Sequence, residues 1–347
     1  MKKFCFVSGV HRSGTSTTAA MIAYCGYSVG KASVRHSAKD NSRGYYETLD
    51  VVRTNDAMAR EIGLRWDSLI ASPEVFRAVH GAWYGRIKDA VRSNFDHVDR
   101  AVLKDPRFAV HLKVWRDAVA DLYPDAALMD VYVLRSPAEV IASLVKRNAR
   151  GGVTFAHGMD PAMGALFWIF QTIGFLKGLA GRPVLLVDYA RQNTAQDRRD
   201  LFSRIGETLG ETLSDDACAA FEREFFHDAE RDGGQSAAPG SHPYQVDAQA
   251  LYDMLRSGET VEAVLTSDLG ARYSLLQSTM GAVFNAECRP VLSRFAEIKT
   301  EYERGLAIAR VGDFLFNRLT MDQLASVYED RCRLTGEGLQ GIATGGG

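Results

Sequence analysis

Phe4–Ser8 is a short apolar run that stops at Gly9, and Thr15–Tyr27 then carries helical composition up to Gly26. The pattern predicts a strand, a glycine-containing turn and a helix. Lys31–Tyr46 is polar and reads as a loop. Helical stretches follow near Leu49–Ile62 and Glu74–Phe95, with Trp66 between them. Ala101–Leu103 is a short strand running into Lys104-Asp105-Pro106, and Phe108–Leu122 is helical and stops before Pro124. Leu128–Leu134 is the clearest strand. Arg135-Ser136-Pro137 turns it into a helix over Ala138–Ala149, with Ser136 suited to the N-cap and Pro137 to the first helical position. An apolar helix over Ala162–Ala180, a strand at Val184–Val187 and a helix at Ala195–Leu209 complete the alternation. Short apolar strands alternating with helices imply an α/β fold whose central, mostly parallel sheet is covered on both faces.

The pattern changes further along. The stretch Asp232-Gly-Gly-Gln-Ser-Ala-Ala-Pro-Gly240 has few anchoring residues, so 228–245 reads as a mobile loop or linker after a first domain spanning 1–227. Residues 246–334 look almost wholly helical and carry no chemical motif; 335–347, ending in three glycines, are expected to be disordered. The helical C-terminal segment would shape a substrate cleft, mediate homodimerisation or dock a carrier domain. Its predicted buried face includes Leu251, Leu255, Leu276 and Phe284.

Composition narrows the function classes. The 347 residues are 46% hydrophobic and 24% charged, as in packed proteins. Lys+Arg 41 against Asp+Glu 43 leaves a formal charge of −2, which argues against nucleic-acid and membrane-surface partners. The five cysteines are scattered and include no C-x-x-C pair, which fits a reducing, cytoplasmic location and no metal site. Ala162–Ala180 contains Gln171, Lys177 and three glycines, so a buried helix explains it better than a membrane span. No signal peptide is expected, because Phe4–Val7 is too short an apolar core.

The candidate chemistry begins at Gly9-Val10-His11-Arg12-Ser13-Gly14-Thr15-Ser16, between the first strand and the first helix. Glycines let the backbone approach an anion, and free N–H groups at a helix start point toward it. Arg12 adds a fixed cationic fork, and Thr15 and Ser16 add hydroxyls. The glycine spacing mimics an ATP-binding loop, but threonine occupies position 15 where that loop has lysine. Arg12, Lys104 and Arg135 all fall just beyond predicted strand ends, the edge at which doubly wound sheets bind ligands.

Arg12-Ser13-Gly14-Thr15-Ser16 resembles the 5′-phosphosulfate loop of sulfotransferases that use 3′-phosphoadenosine 5′-phosphosulfate (PAPS). Arg135 at a strand end, with Ser143 eight residues on, is similar to that family's 3′-phosphate motif. Gly44-Tyr45-Tyr46-Glu47 resembles its carboxylate-base segment, Lys104-Asp105-Pro106 its lysine motif and Val187-Asp188-Tyr189 its strand-end tyrosine near the adenine. The resemblance, over roughly residues 3–225, is closest to the bacterial, carboxylate-base branch. Thr17 stands where many cytosolic members have an aromatic residue, and their catalytic histidine has no counterpart near Lys104.

The resemblance implies a P-loop-like three-layer fold and sulfuryl transfer from PAPS to a hydroxyl or amine of a small molecule or glycan (EC 2.8.2 class). Glu47 is then the general base, and Arg12 and Lys104 stabilise the transferring group. Arg12, Ser13, Gly14, Thr15, Ser16, Arg135, Ser143 and Tyr189 hold PAPS, and no metal is required. Trp66, Tyr45, Tyr46 and the loop around 151–157 are candidates for the acceptor pocket. His11 either contacts the co-substrate or fills the turn. The alternatives are a P-loop kinase acting on a small molecule and a catalytically silent relative serving as an interaction module.

Overall fold

The computed structural model describes residues 1–33, 44–69, 71–149, 160–192, 194–211, 215–225 and 240–288. Four parallel strands form one sheet: β1 (Lys3–Ser8), β2 (Arg100–Lys104), β3 (Ala127–Leu134) and β4 (Val184–Asp188), in the spatial order β2-β1-β3-β4. Val7 pairs with Lys104 on one side of β1 and with Val131 on the other. The central strand β1 is buried from Phe4 to Ser8, as expected of a parallel sheet covered on both faces.

Helices α1 (Thr15–Tyr24), α2 (Leu49–Glu61), α3 (Pro73–Phe95), α4 (Phe108–Leu122), α5 (Pro137–Ala149), α6 (Pro161–Leu179) and α7 (Ala195–Leu209) match the predicted segments closely. A further helix, α8 (Asp215–Phe225), has no counterpart among them. On one face Cys5, Val7, Val131 and Val133 pack against Ala19 and Ile22 of α1, Phe202 of α7 and Phe221 of α8. On the other, Phe4 meets Phe95 of α3 edge-on, Phe6 lies against Phe108 of α4 and Tyr132 against Phe175 of α6. Each such ring buried contributes about 1.5–3 kcal/mol. The result is three layers, helix–sheet–helix.

The helix α6 has the length and apolarity of a membrane span, yet every residue from Gly164 to Leu176 is buried within the fold. A helix apolar all round is one that neighbours surround. Gly174 permits the closest approach: a Cβ there would stand 2.4 Å from the Ala109 carbonyl oxygen of α4. Lys177, the charge near its end, donates to Glu74 of α3 at 3.0 Å and to Gln277 at 3.1 Å.

The stretch read as linker differs in extent. A helix α9 (Pro243–Arg256) already begins at Pro243 and is capped by His242, with α10 (Val261–Thr266) and α11 (Asp268–Val283) after it. The first compact unit spans Met1–Ala282, so α9 and α10 belong to the same unit as the sheet, not to a separate segment. Leu251 and Leu255 are buried as expected, whereas Leu276 is 38% exposed. The inward residues of α11 are Tyr273 and Gln277, and Gln277 also donates to the Phe170 carbonyl. Helical phase puts Leu276 outside that face. The second unit, Val283–Gly347, is described only through Cys288, where Phe284–Cys288 forms a π-helical turn. The expectation for 335–347 lies outside the described residues, as do residues 228–239 and 151–157.

Candidate active site

The carboxyl ends of β1, β2, β3 and β4 present Gly9, Lys104, Arg135 and Tyr189 at one edge of the sheet. The loop after β1 is shaped by its backbone. Arg12 has φ 70 and Gly14 φ 91, both left-handed, and Ser13 N–H donates to the Val10 carbonyl at 3.0 Å. A left-handed arginine costs about 1–2 kcal/mol, strain of the kind that persists where surroundings hold a working geometry. Gly14 has a second constraint: a Cβ there would fall 2.2 Å from the Tyr189 ring. It caps α1 without a side chain, so the first N–H groups of that helix have no side-chain cap. The Ser13 hydroxyl is buried and has no partner among the described residues.

The two predicted phosphate motifs touch. Arg12 Nε donates to Ser143 Oγ at 3.0 Å, and Arg135 Nη1 donates to the Arg12 carbonyl at 2.7 Å. Arg135 Nε also holds Glu139 at 3.0 Å, and its guanidinium lies 4.4 Å over the Tyr189 ring. Tyr189 thus supports Arg135 from below while bounding Gly14. The structure joins Arg12, Gly14, Arg135, Ser143 and Tyr189 into one cluster.

Lys104 and Glu47 form a second cluster. Lys104 Nζ lies 2.5 Å from Glu47 Oε1 and 3.4 Å from Ser16 Oγ. Both side chains are buried. Glu47 is held there because the next residue is anchored: Thr48 Oγ1 donates to the Val29 carbonyl, and Leu49 N–H, opening α2, donates to that of Ala32. Burial pushes the Glu47 carboxyl above the usual range against the pull of Lys104. Asp105, the neighbour of Lys104 in sequence, is engaged elsewhere. It accepts from Asn55 Nδ2 at 2.9 Å and pairs with Arg107 at 3.0 Å.

Arg107 was not predicted, although it directly follows Lys104-Asp105-Pro106. Its Nε also holds Asp56 at 2.7 Å. These carboxylates, with Glu47, outweigh burial and raise its pKa. Tyr46 packs against the core beside α1, and so serves packing more than a pocket. Trp66 lines a small pocket, with room for little more than a water molecule, together with Phe76, Arg107, His111 and Gln171. His11 sits at 4.3 Å from the Trp66 ring, and its Nε2 is buried without a partner among the described residues.

Fold and edge cluster together define an α/β protein with a glycine-containing strand–loop–helix turn beside a buried lysine–carboxylate pair. Neither a family model nor a curated protein matches the chain. Among solved structures it is similar to the sulfotransferase domain of the Synechococcus PCC 7002 olefin synthase, at 15% identity and TM-score 0.38, covering 82% of this chain and 95% of that one. It is also similar to the sulfotransferase STF1 from Mycobacterium tuberculosis H37Rv, at 18% identity and TM-score 0.37, covering 78% and 77%. The functional reading below rests on this chain's own side chains.

Proposed function

We propose that this chain is a PAPS-dependent sulfotransferase that moves a sulfuryl group to a hydroxyl or amine of a small molecule or glycan. The carrying observation is the contact between the two phosphate motifs, Arg12–Ser143 and Arg135–Arg12 carbonyl, beside the uncapped start of α1. A nucleotide with a 5′-phosphosulfate and a 3′-phosphate needs cations at two places on one edge. The buried Ser13 hydroxyl, unpartnered among the described residues, suits an anion lying in the loop.

In this reading Ser13, Thr15 and Ser16 hold the 5′-phosphate, and Arg135 with Ser143 takes the 3′-phosphate. Arg12 moves from Ser143 toward the phosphosulfate. Lys104 neutralises charge on the bridging oxygen. An arriving anion draws Lys104 from Glu47, and the freed carboxylate becomes a stronger base for the acceptor proton. Transfer is an in-line displacement in which positioning and charge stabilisation dominate, as in phosphoryl transfer. Side-chain cations do the neutralising, so activity is expected to survive EDTA.

Calorimetry tests the assignment. Adenosine 3′,5′-bisphosphate should bind about tenfold or more tightly than AMP, because a charge-assisted contact to the 3′-phosphate is worth about 1.5–3 kcal/mol. Arg135→Ala should erase most of that difference. Equal affinities in the unaltered protein, or tighter magnesium-dependent binding of ATP, would overturn the assignment.

A further inference from the structure

Two sets of partly or wholly buried imidazoles lie near the site, and they are satisfied differently. His80 Nε2 and His111 Nδ1 are 2.8 Å apart and serve each other. His11 has no such partner for Nε2 among the described residues. A buried ring nitrogen without a partner is desolvated with nothing in the free protein to compensate, which marks a place where a ligand completes the contact. The ring cannot easily turn away, because it lies against Trp66 and springs from the residue before the left-handed Arg12.

The charges around His11 indicate which ligand. Burial first, and then the charges of Arg107, Lys104, Arg147 and Arg12, hold its pKa low and keep the imidazole neutral. A neutral ring among four cations is a poor place for another positive charge and a good one for an anionic oxygen. A bound anion would favour the tautomer that carries the proton on Nε2, since that N–H can then donate to it.

We propose that His11 is a further catalytic residue, donating from Nε2–H to a peripheral oxygen of the transferring sulfuryl group. This inference rests on the PAPS reading above. During transfer the sulfur's bond to the bridging oxygen breaks, and its electron pair leaves with the 5′-phosphate of adenosine 3′,5′-bisphosphate. The new bond forms from the acceptor oxygen or nitrogen, whose proton passes to Glu47. His11 keeps its proton throughout and acts as a neutral donor beside Lys104 and Arg12.

The experiment compares PAPS with adenosine 3′,5′-bisphosphate, which lacks only the sulfuryl group. In full-length protein labelled with ¹⁵N-histidine, PAPS should shift the His11 Nε2 resonance and the bisphosphate should leave it nearly in place. By calorimetry His11→Phe, which keeps a ring against Trp66, should weaken PAPS about tenfold and the bisphosphate less than about twofold. His11→Gln, which restores an N–H, should recover most of the PAPS affinity. An unshifted resonance with PAPS bound, or equal loss for both nucleotides, would overturn the role of His11 while leaving the PAPS reading intact. Failure of both nucleotides to bind the unaltered protein would overturn the PAPS reading itself. Should His11→Phe not fold, the resonance measurement on the unaltered protein decides alone.

Discussion

Two buried ion pairs in this molecule are alike in most local respects. Lys104–Glu47 and Arg116–Asp130 each close to 2.5 Å, and each is almost wholly withdrawn from water. In both, burial pushes the carboxyl up against the opposing pull of its cation. Their placement differs. Asp130 sits inside β3, in register with Phe6 and Val184, and the Arg116 guanidinium lies over the Phe6 ring. Lys104 is the last residue of β2 and reaches Ser16 at the start of α1. Burial and a raised carboxyl therefore do not mark a reactive pair by themselves. Position separates the two: one lies inside the sheet, the other at a strand end beside the start of α1.

That comparison can be broken most sharply at Glu47. Glu47→Gln should slow sulfuryl transfer about 10²–10⁴-fold, since the amide cannot take the acceptor proton, while calorimetric affinity for adenosine 3′,5′-bisphosphate stays nearly unchanged. The assay requires an acceptor found from a panel of hydroxylated small molecules and glycans. Near-normal turnover would make this pair structural, like the other.

Asp130→Ala should do the reverse. Leaving Arg116 buried and unpaired should cost about 3–5 kcal/mol in urea unfolding, with turnover per folded molecule unchanged. Arg116 Nε and Asp130 Oδ1 already lack hydrogen-bond partners among the described residues, so the pair is poorly satisfied. Replacing both residues, Arg116→Met with Asp130→Val, should restore most of the lost stability. A double variant as unstable as the single one would show that the pair is needed as a pair.

A pH profile gives a smaller but directed effect. Glu47 must be ionised to act, and burial raises its pKa, so turnover should fall as pH drops through a value above the ordinary carboxylate range. Lys104→Met removes the opposing cation and should move that limb to still higher pH, on whatever activity remains. An unmoved limb would assign it to another group.

The last effect concerns stability in mild acid. Burial pushes His80 down from 6.5 to about 4, and His111 is held low as well. A depressed folded pKa means stability present above 6.5 and lost progressively as pH falls toward 4, by up to about 1.4 kcal/mol per pH unit for each proton taken up. Urea midpoints between these values should show the slope, and His80→Leu should flatten it. An unchanged slope would place the acid sensitivity elsewhere.

Local pattern and short motifs determined much of this protein. Strand–turn–helix alternation located all four strands and the first seven helices to within a few residues, because period and punctuation are properties of neighbouring side chains. The same locality made Arg12, Lys104, Arg135 and Glu47 visible as candidates: each sits at a strand end or in a short run with recognisable chemistry. It could not supply pairings between distant positions. Nothing along the chain says that Arg12 reaches Ser143, that Glu47 meets Lys104 and not Asp105, or that the Tyr189 ring requires glycine at 14. The start of α9 at Pro243 and its inclusion with the sheet were equally hidden. A polar stretch looks like a boundary from composition alone, but only packing of Leu251 and Leu255 decides where a compact unit ends. Those facts depend on which surfaces bury each other, a property of the folded chain and not of any window along it.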